Sequence, residues 1–134
     1  MSWDKELEEL RHREGLAEQM GGEEKVARQH SRGKMDARAR LAALCDDGTF
    51  REIGKIAGKG SYDEDGNLQS VLPAPFLFGK AQINGRPVVA TADDFTIRGG
   101  AADAGISRKM VQAEKMAHEL KLPIIRMIDG TGGG

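Results

Sequence analysis

Asn84-Gly85, set between PFLFGKAQI and RPVVATADDF, constrains this chain more than any other feature. Both residues tolerate the positive φ that a two-residue type I′ turn demands, so the flanking apolar runs read as the arms of a β-hairpin. Pro87 stands close to the turn, where a missing N–H costs least. Residues 96–105 (TIRGGAADAG) follow as a small-residue loop. Ser107 to Lys121 then reads as a helix, because Ile106, Met110, Ala113, Ala117 and Leu120 repeat at alternating steps of four and three. Pro123 stops it. IIRMI, residues 124–128, has the β-branched bias of a short strand in a buried sheet. The series is a β-β-α-β unit of a layered α/β fold. One such unit leaves a sheet with uncovered faces and an open edge, which predicts a marginally stable isolated chain.

The first 56 residues read differently. Residues 2–19 suit a helix that Ser2 can cap, with Asp4, Glu6, Glu8 and Glu9 near its positive end. Trp3, Leu7 and Leu10 mark one narrow apolar stripe, too small to hold the helix alone, so it is expected to dock on another surface. Gly21-Gly22 break it. Residues 23–31 form a short helix, and residues 36–45 another, with Asp36 as N-cap and Gly48 just past its end. Phe50 and Ile53 begin a short apolar stretch. Residues 57–70 (AGKGSYDEDGNLQS) show no periodicity and read as a polar loop. The expected organisation is a helical arm over 1–56, a polar loop over 57–75, and a compact α/β part over 76–134.

Composition excludes several classes. Net charge is −1, so no basic field points to nucleic acid or an anionic membrane surface. No apolar run approaches the length of a membrane span. MSWDKELEEL is acidic and lacks the apolar core of a secretory signal. The single cysteine, Cys45, rules out an intrachain disulfide and fits a reducing, cytoplasmic setting. It reads as a small apolar residue near a helix end. His12, His30 and His118 have no partner at metal-ligand spacing and read as surface or capping residues.

Two glycine clusters could carry chemistry. IIRMIDGTGGG places four glycines in the last five positions, directly after a strand. Such a run lets backbone approach a ligand and aims N–H groups at an oxyanion. It lacks the spacing of a nucleotide-phosphate loop. The residues alone leave it open between this role and a linker. Arg98-Gly99-Gly100 is either a plain strand-to-helix turn or a backbone wall lining the same ligand. Asp93 and Asp94 face opposite sides of a strand, so they are not an acid–base pair; one is expected to hydrogen-bond the following turn. Asp129 is expected to cap whatever follows. Arg28, Arg32, Lys34, Arg38 and Arg40 read as an ion-paired, solvated face.

Taken in order, three segments resemble the carboxyltransferase (β) subunits of biotin-dependent acyl-CoA carboxylases, the propionyl-CoA and methylcrotonyl-CoA type. They are GGEEKVARQHSRGKMDARARLAALCDDGTFREIG (21–54), INGRPVVATADDFTIRGG (83–100), and the Lys109 helix leading to PIIRMIDGTGGG. The resemblance spans 21–134 apart from 57–82. It implies a crotonase-like fold, a ββα spiral of which this chain supplies an incomplete N-terminal part preceded by the helical arm. It implies an enzyme that moves a carboxyl group from carboxybiotin to the α-carbon of an acyl-CoA through an enolate. Biotin would be carried on a partner, a biotin carboxylase or biotin carrier subunit, and no metal is implied for this half-reaction. Family members are longer and oligomeric, so a truncated N-terminal piece, inactive alone, is expected.

By carry-over, the resemblance implies that Gly132, Gly133 and Gly134 offer backbone N–H groups to the thioester, and that Gly99 and Gly100 line the pocket floor. No side chain is implied as catalytic. Two departures stand out: Ala101-Ala102-Asp103-Ala104 replaces the family's serine and glutamate series, and Asp129-Gly130-Thr131 carries one residue more before the glycine pair. The alternatives are a decarboxylase subunit of the same superfamily and a non-catalytic assembly module docking through residues 1–20.

Overall fold

A computed structural model describes residues 2–101 and 107–131. The order is α1 (Asp4–Glu18), α2 (Glu23–Ser31), α3 (Ala37–Leu44), β1 (Arg51–Ile53), β2 (Gly58–Tyr62), β3 (Leu68–Pro73), β4 (Phe76–Ile83), β5 (Arg86–Asp93), a 3-10 turn Arg98–Gly100, α4 (Ser107–Leu120) and β6 (Ile124–Met127). One sheet runs β1-β4-β5-β6. β4 pairs antiparallel with β1 and β5, and β6 pairs parallel with β5.

The hairpin forms as its turn dictates. Asn84 and Gly85 both take positive φ, 50° and 76°. Alternation along the strands then sends side chains to two faces. Leu77, Ala81, Val88, Ala90 and Ala92 pack against Ala37, Leu41 and Cys45, beside α3. Phe76, Phe78 and Val89 pack against Ala113 and Ala117 of α4. The result is helix, sheet, helix, with β5 buried on both sides. Gly79 permits the β1 pairing: a Cβ there would stand 2.2 Å from the Arg51 carbonyl oxygen. Cys45 is buried among apolar neighbours, and burial raises its thiol above the usual range.

The end of α3 pins the hairpin turn. Asp46 accepts the Asn84 N–H on Oδ1 and the Gly85 N–H on Oδ2, both at 2.8 Å. Asp46→Ala is therefore expected to cost about 1–2 kcal/mol, read as a lower urea midpoint. An unchanged midpoint would mean that the Asn-Gly turn holds its register unaided.

Four expectations need correction. Residues 57–70 are not an unstructured loop: β2 and β3 form an antiparallel ribbon. Its turn is held by the Asp63 carboxylate, which accepts the backbone N–H groups of Asp65 (3.0 Å) and Asn67 (2.8 Å). Both ribbon faces are largely exposed, so burial imprints no alternation on the sequence. β6 is a half-exposed edge strand of the described sheet, not a buried one. Leu120 ends the apolar stripe of α4 but stays exposed, and Ile106 lies outside the described residues. Finally, Ser2 is not the N-cap residue of α1: Trp3 holds that position and gives no side-chain hydrogen bond, while Ser2 Oγ accepts the Asp4 N–H only at 3.5 Å.

α1 meets the rest of the chain through Ala17 and polar contacts. Arg13 donates to Tyr62 Oη at 2.7 Å, and Lys55 donates to Glu18 at 2.7 Å. Trp3, Leu7 and Leu10 all remain exposed, Trp3 at 68%. No described helix is long and apolar enough to cross a membrane.

Candidate functional site

The parallel pair β5–β6 delivers two loops to the same end of the sheet, the position where ligands settle in open α/β sheets. After β5, Asp94 is buried and organises the turn: its Oδ1 accepts the Thr96 N–H at 2.9 Å and the Thr96 hydroxyl at 2.6 Å. Burial raises the Asp94 carboxyl, and the Thr96 hydrogen bonds oppose that shift. Thr96 Oγ1 in turn accepts the Gly21 N–H at 3.0 Å. A Cβ on Gly21 would stand 2.1 Å from the Thr96 carbonyl oxygen, so the glycine break in the arm seats against this turn. The expected aspartate-to-turn bond thus belongs to Asp94.

Asp93 does something the sequence did not reveal. Its Oδ2 accepts the Asp129 N–H at 3.2 Å, tying the end of β5 to the loop after β6. Burial pushes the Asp93 carboxyl up, against the Asp129 N–H.

Arg98, Gly99 and Gly100 then take positive φ in succession, 50°, 62° and 72°. An L residue such as Arg98 pays about 1–2 kcal/mol for that conformation. The turn is held by the Gly100 N–H donating to the Ile97 carbonyl at 2.9 Å. It lies directly on the loop after β6: the Thr131 N–H donates to the Gly99 carbonyl at 3.1 Å. A Cβ on Gly99 would come within 2.7 Å of Thr131 Cγ2, and one on Gly100 within 2.3 Å of the Asp129 carbonyl oxygen. Gly99 and Gly100 are thus brought against Asp129, Gly130 and Thr131, far away in sequence. Gly132, Gly133 and Gly134 lie outside the described residues.

Asp129 does not cap a following element within the described chain. Its carboxylate receives Lys34 Nζ at 3.0 Å and Arg40 Nη1 at 2.8 Å. Burial alone would raise this carboxyl; hydrogen bonds from Lys34 and Arg40 outweigh burial and hold it below the usual carboxylate range. Four members of the basic cluster are ion-paired, Arg28 with Glu24 at 3.2 Å and Arg38 with both oxygens of Glu52, but the Arg38 and Arg40 pairs are largely buried rather than a solvated face. Nothing local in the chain signals that two of its members, Lys34 and Arg40, reach across to the glycine junction. His30 shares a 2.8 Å hydrogen bond with Asp36, the α3 N-cap.

Beside this junction lies a cavity of about 730 Å³, within the usual range for ligand pockets. Ile53, Ala57, Leu72, Phe78 and Ile97 give it apolar walls, and Lys59, Arg98, Arg108 and Lys109 give it positive charge. Gly99 and Gly100 do not line it; Ile97 and Arg98, which lead into them, do. Lys109 projects from the first turns of α4. Burial lowers its ammonium to about 8, with Arg38 pushing the same way and Glu52 opposing. A backbone junction beside a cationic, apolar-walled cavity can hold an anionic carrier, its apolar chain, and a polarised carbonyl.

A family model for the carboxyl transferase domain matches residues 28–134. The carboxyltransferase subunit of propionyl-CoA carboxylase from Haloferax mediterranei is 33% identical over 98% of this chain and 26% of its own length. Methylmalonyl-CoA decarboxylase subunit alpha from Veillonella parvula is 37% identical over 84% of this chain and 22% of its own length. Among solved structures, transcarboxylase 12S with methylmalonyl-coenzyme A and methylmalonic acid bound superposes with a TM-score of 0.84 at 31% identity, covering 100% of this chain and 26% of that one. The chain thus spans about a quarter of the length of these relatives.

Proposed function

Because the chain belongs to the carboxyl transferase domain family, with the mixed α/β, crotonase-like fold of its structural neighbours in partial form, we propose that it serves an acyl-CoA carboxyltransferase. In this reading, residues 1–56 are a helical arm and 76–134 the first part of the catalytic domain. The β2–β3 ribbon lies between them. An acyl-CoA is held at the junction of the two glycine loops. A proton leaves its α-carbon, negative charge develops on the thioester oxygen, and backbone N–H groups of Gly132, Gly133 and Gly134 meet that charge. Donors aimed where charge develops bind the transition state better than the substrate. Gly99 and Gly100 supply the close approach beneath. Carboxybiotin, carried by a partner carboxylase or carrier subunit, supplies the carboxyl group. The working enzyme is a homo-oligomer in the cytoplasm.

The observation that carries the reading is the Thr131-to-Gly99 hydrogen bond, which joins the two loops at the carboxyl ends of parallel strands. The cavity beside it supports the reading further: its walls suit an acyl chain and its charges suit the phosphates of coenzyme A. Lys34 and Arg40, through Asp129, hold the junction closed from the arm.

The test is calorimetric titration of the chain with a non-reactive thioether analogue of propionyl-CoA. Saturable binding, tighter than that of coenzyme A alone, is expected. No binding by either compound removes the reading. The similarity to a methylmalonyl-CoA decarboxylase subunit favours a second direction for the same chemistry. A chain of the relatives' length, assayed with its biotin carrier, decides between them: net loss of CO₂ from methylmalonyl-CoA supports decarboxylation, and net carboxylation of propionyl-CoA supports the first reading.

A further inference from the structure

Two lysines line the 730 Å³ cavity, and they differ in one respect. Lys59 is exposed, whereas Lys109 is half-buried. The stem of Lys109 lies over Gly54, where a Cβ would stand 3.2 Å from its Cε. The carboxylate facing it, Glu52, is already engaged by both arms of the Arg38 guanidinium. Among the described residues, Lys109 Nζ has no hydrogen bond or ion pair of its own. Its neighbours across the cavity, Arg98, Arg108 and Lys59, are cations. An amine so placed is partly stripped of water, and the described carboxylate nearest it, Glu52, is shared with Arg38. It is held at a wall that suits an apolar chain with a negatively charged carrier.

We propose that Lys109 is a self-acylation site, its Nζ taking the acyl group of a coenzyme A thioester seated in the cavity. This rests on the reading that the chain takes acyl-CoA. The lone pair of Nζ attacks the thioester carbonyl carbon; the C–N bond forms as the C–S bond breaks; the thiolate leaves and the proton lost by nitrogen converts it to the free thiol. No other reactant is needed. The product is an amide: it removes one positive charge from the cavity and leaves the acyl chain against Ile53, Ala57 and Phe78. Acylation would therefore block the cavity to further ligand, making the modification a brake set by the concentration of acyl-CoA.

The geometry is supported by the lowered ammonium. At about 8, Lys109 carries far more free amine near neutrality than an ordinary lysine. Part of that gain is offset by weaker nucleophilicity. Because nucleophilicity falls only about half as fast as basicity on a logarithmic scale, a net advantage of about tenfold over an ordinary lysine remains.

The experiment incubates the chain with propionyl-CoA over a range of pH and follows it by intact mass and peptide mapping. One propionyl group should appear at Lys109 about tenfold faster than at Lys59. The rate should climb with pH and level off above about 8, as burial among Glu52, Arg38, Arg98 and Arg108 lets Lys109 lose its charge there. Lys109→Arg should abolish the fast adduct. Comparable rates at Lys59 and Lys109, survival of the fast adduct in K109R, or no adduct at all overturns the proposal. The thioether titration separates the two readings: analogue binding without an adduct sinks self-acylation alone, and failure of both sinks the acyl-CoA reading as well.

Discussion

Gly100→Ala should lower the stability of this chain by about 2–5 kcal/mol, a large share of the 5–15 kcal/mol typical of a domain. Two effects add. The backbone at Gly100 has a φ of 72°, which costs an L residue about 1–2 kcal/mol. The new Cβ would also press to within 2.3 Å of the Asp129 carbonyl oxygen, and overpacking of this kind adds about 1–3 kcal/mol. Gly85 provides the control. Its φ is 76°, and a Cβ there meets nothing within 4 Å. Gly85→Ala should therefore lose only the conformational part. Chemical denaturation of both variants measures the difference. Equal losses would show that the two loops do not press together as described.

The second large effect concerns turnover. In a chain of the relatives' length, Gly133→Val should reduce carboxyl transfer by about 10²–10³-fold, the usual consequence of losing one oxyanion donor. A valine brings Cβ bulk to a backbone proposed to lie against the thioester, and it restricts φ. KM for acyl-CoA should change less than kcat, because the lost interaction belongs to the transition state. A variant with normal kcat would remove Gly133 from the pocket.

How much of this was written in the sequence differs from element to element. The β4–β5 hairpin was legible because Asn84-Gly85 carries its own conformational instruction. The α3 boundary was legible because Asp36 is a cap whose side chain accepts the Ala39 N–H locally. The ribbon was not, because alternation records burial and both of its faces meet solvent. The only signal was Asp65-Gly66 in its turn. The two glycine clusters were each visible in the sequence; the packing of Gly99 and Gly100 on Asp129 and Thr131 was not. The clasp on Asp129 was not visible. Lys34 and Arg40 were seen only as a charged face, since nothing local points them to a carboxylate 95 residues from Lys34. Lys109 shows the same limit. Its state depends on Gly54, Glu52 and Arg38, which only the folded chain brings to it.

That 95-residue separation also orders events during folding. Contacts within the β4–β5 hairpin close a two-residue turn and form early, whereas joining Lys34 to Asp129 must first bear the entropy of a very long loop. The arm's clasp on the glycine junction therefore belongs to the last stage of assembly. A polypeptide emerging from the ribosome would have its sheet nucleus in place well before its binding surface became competent.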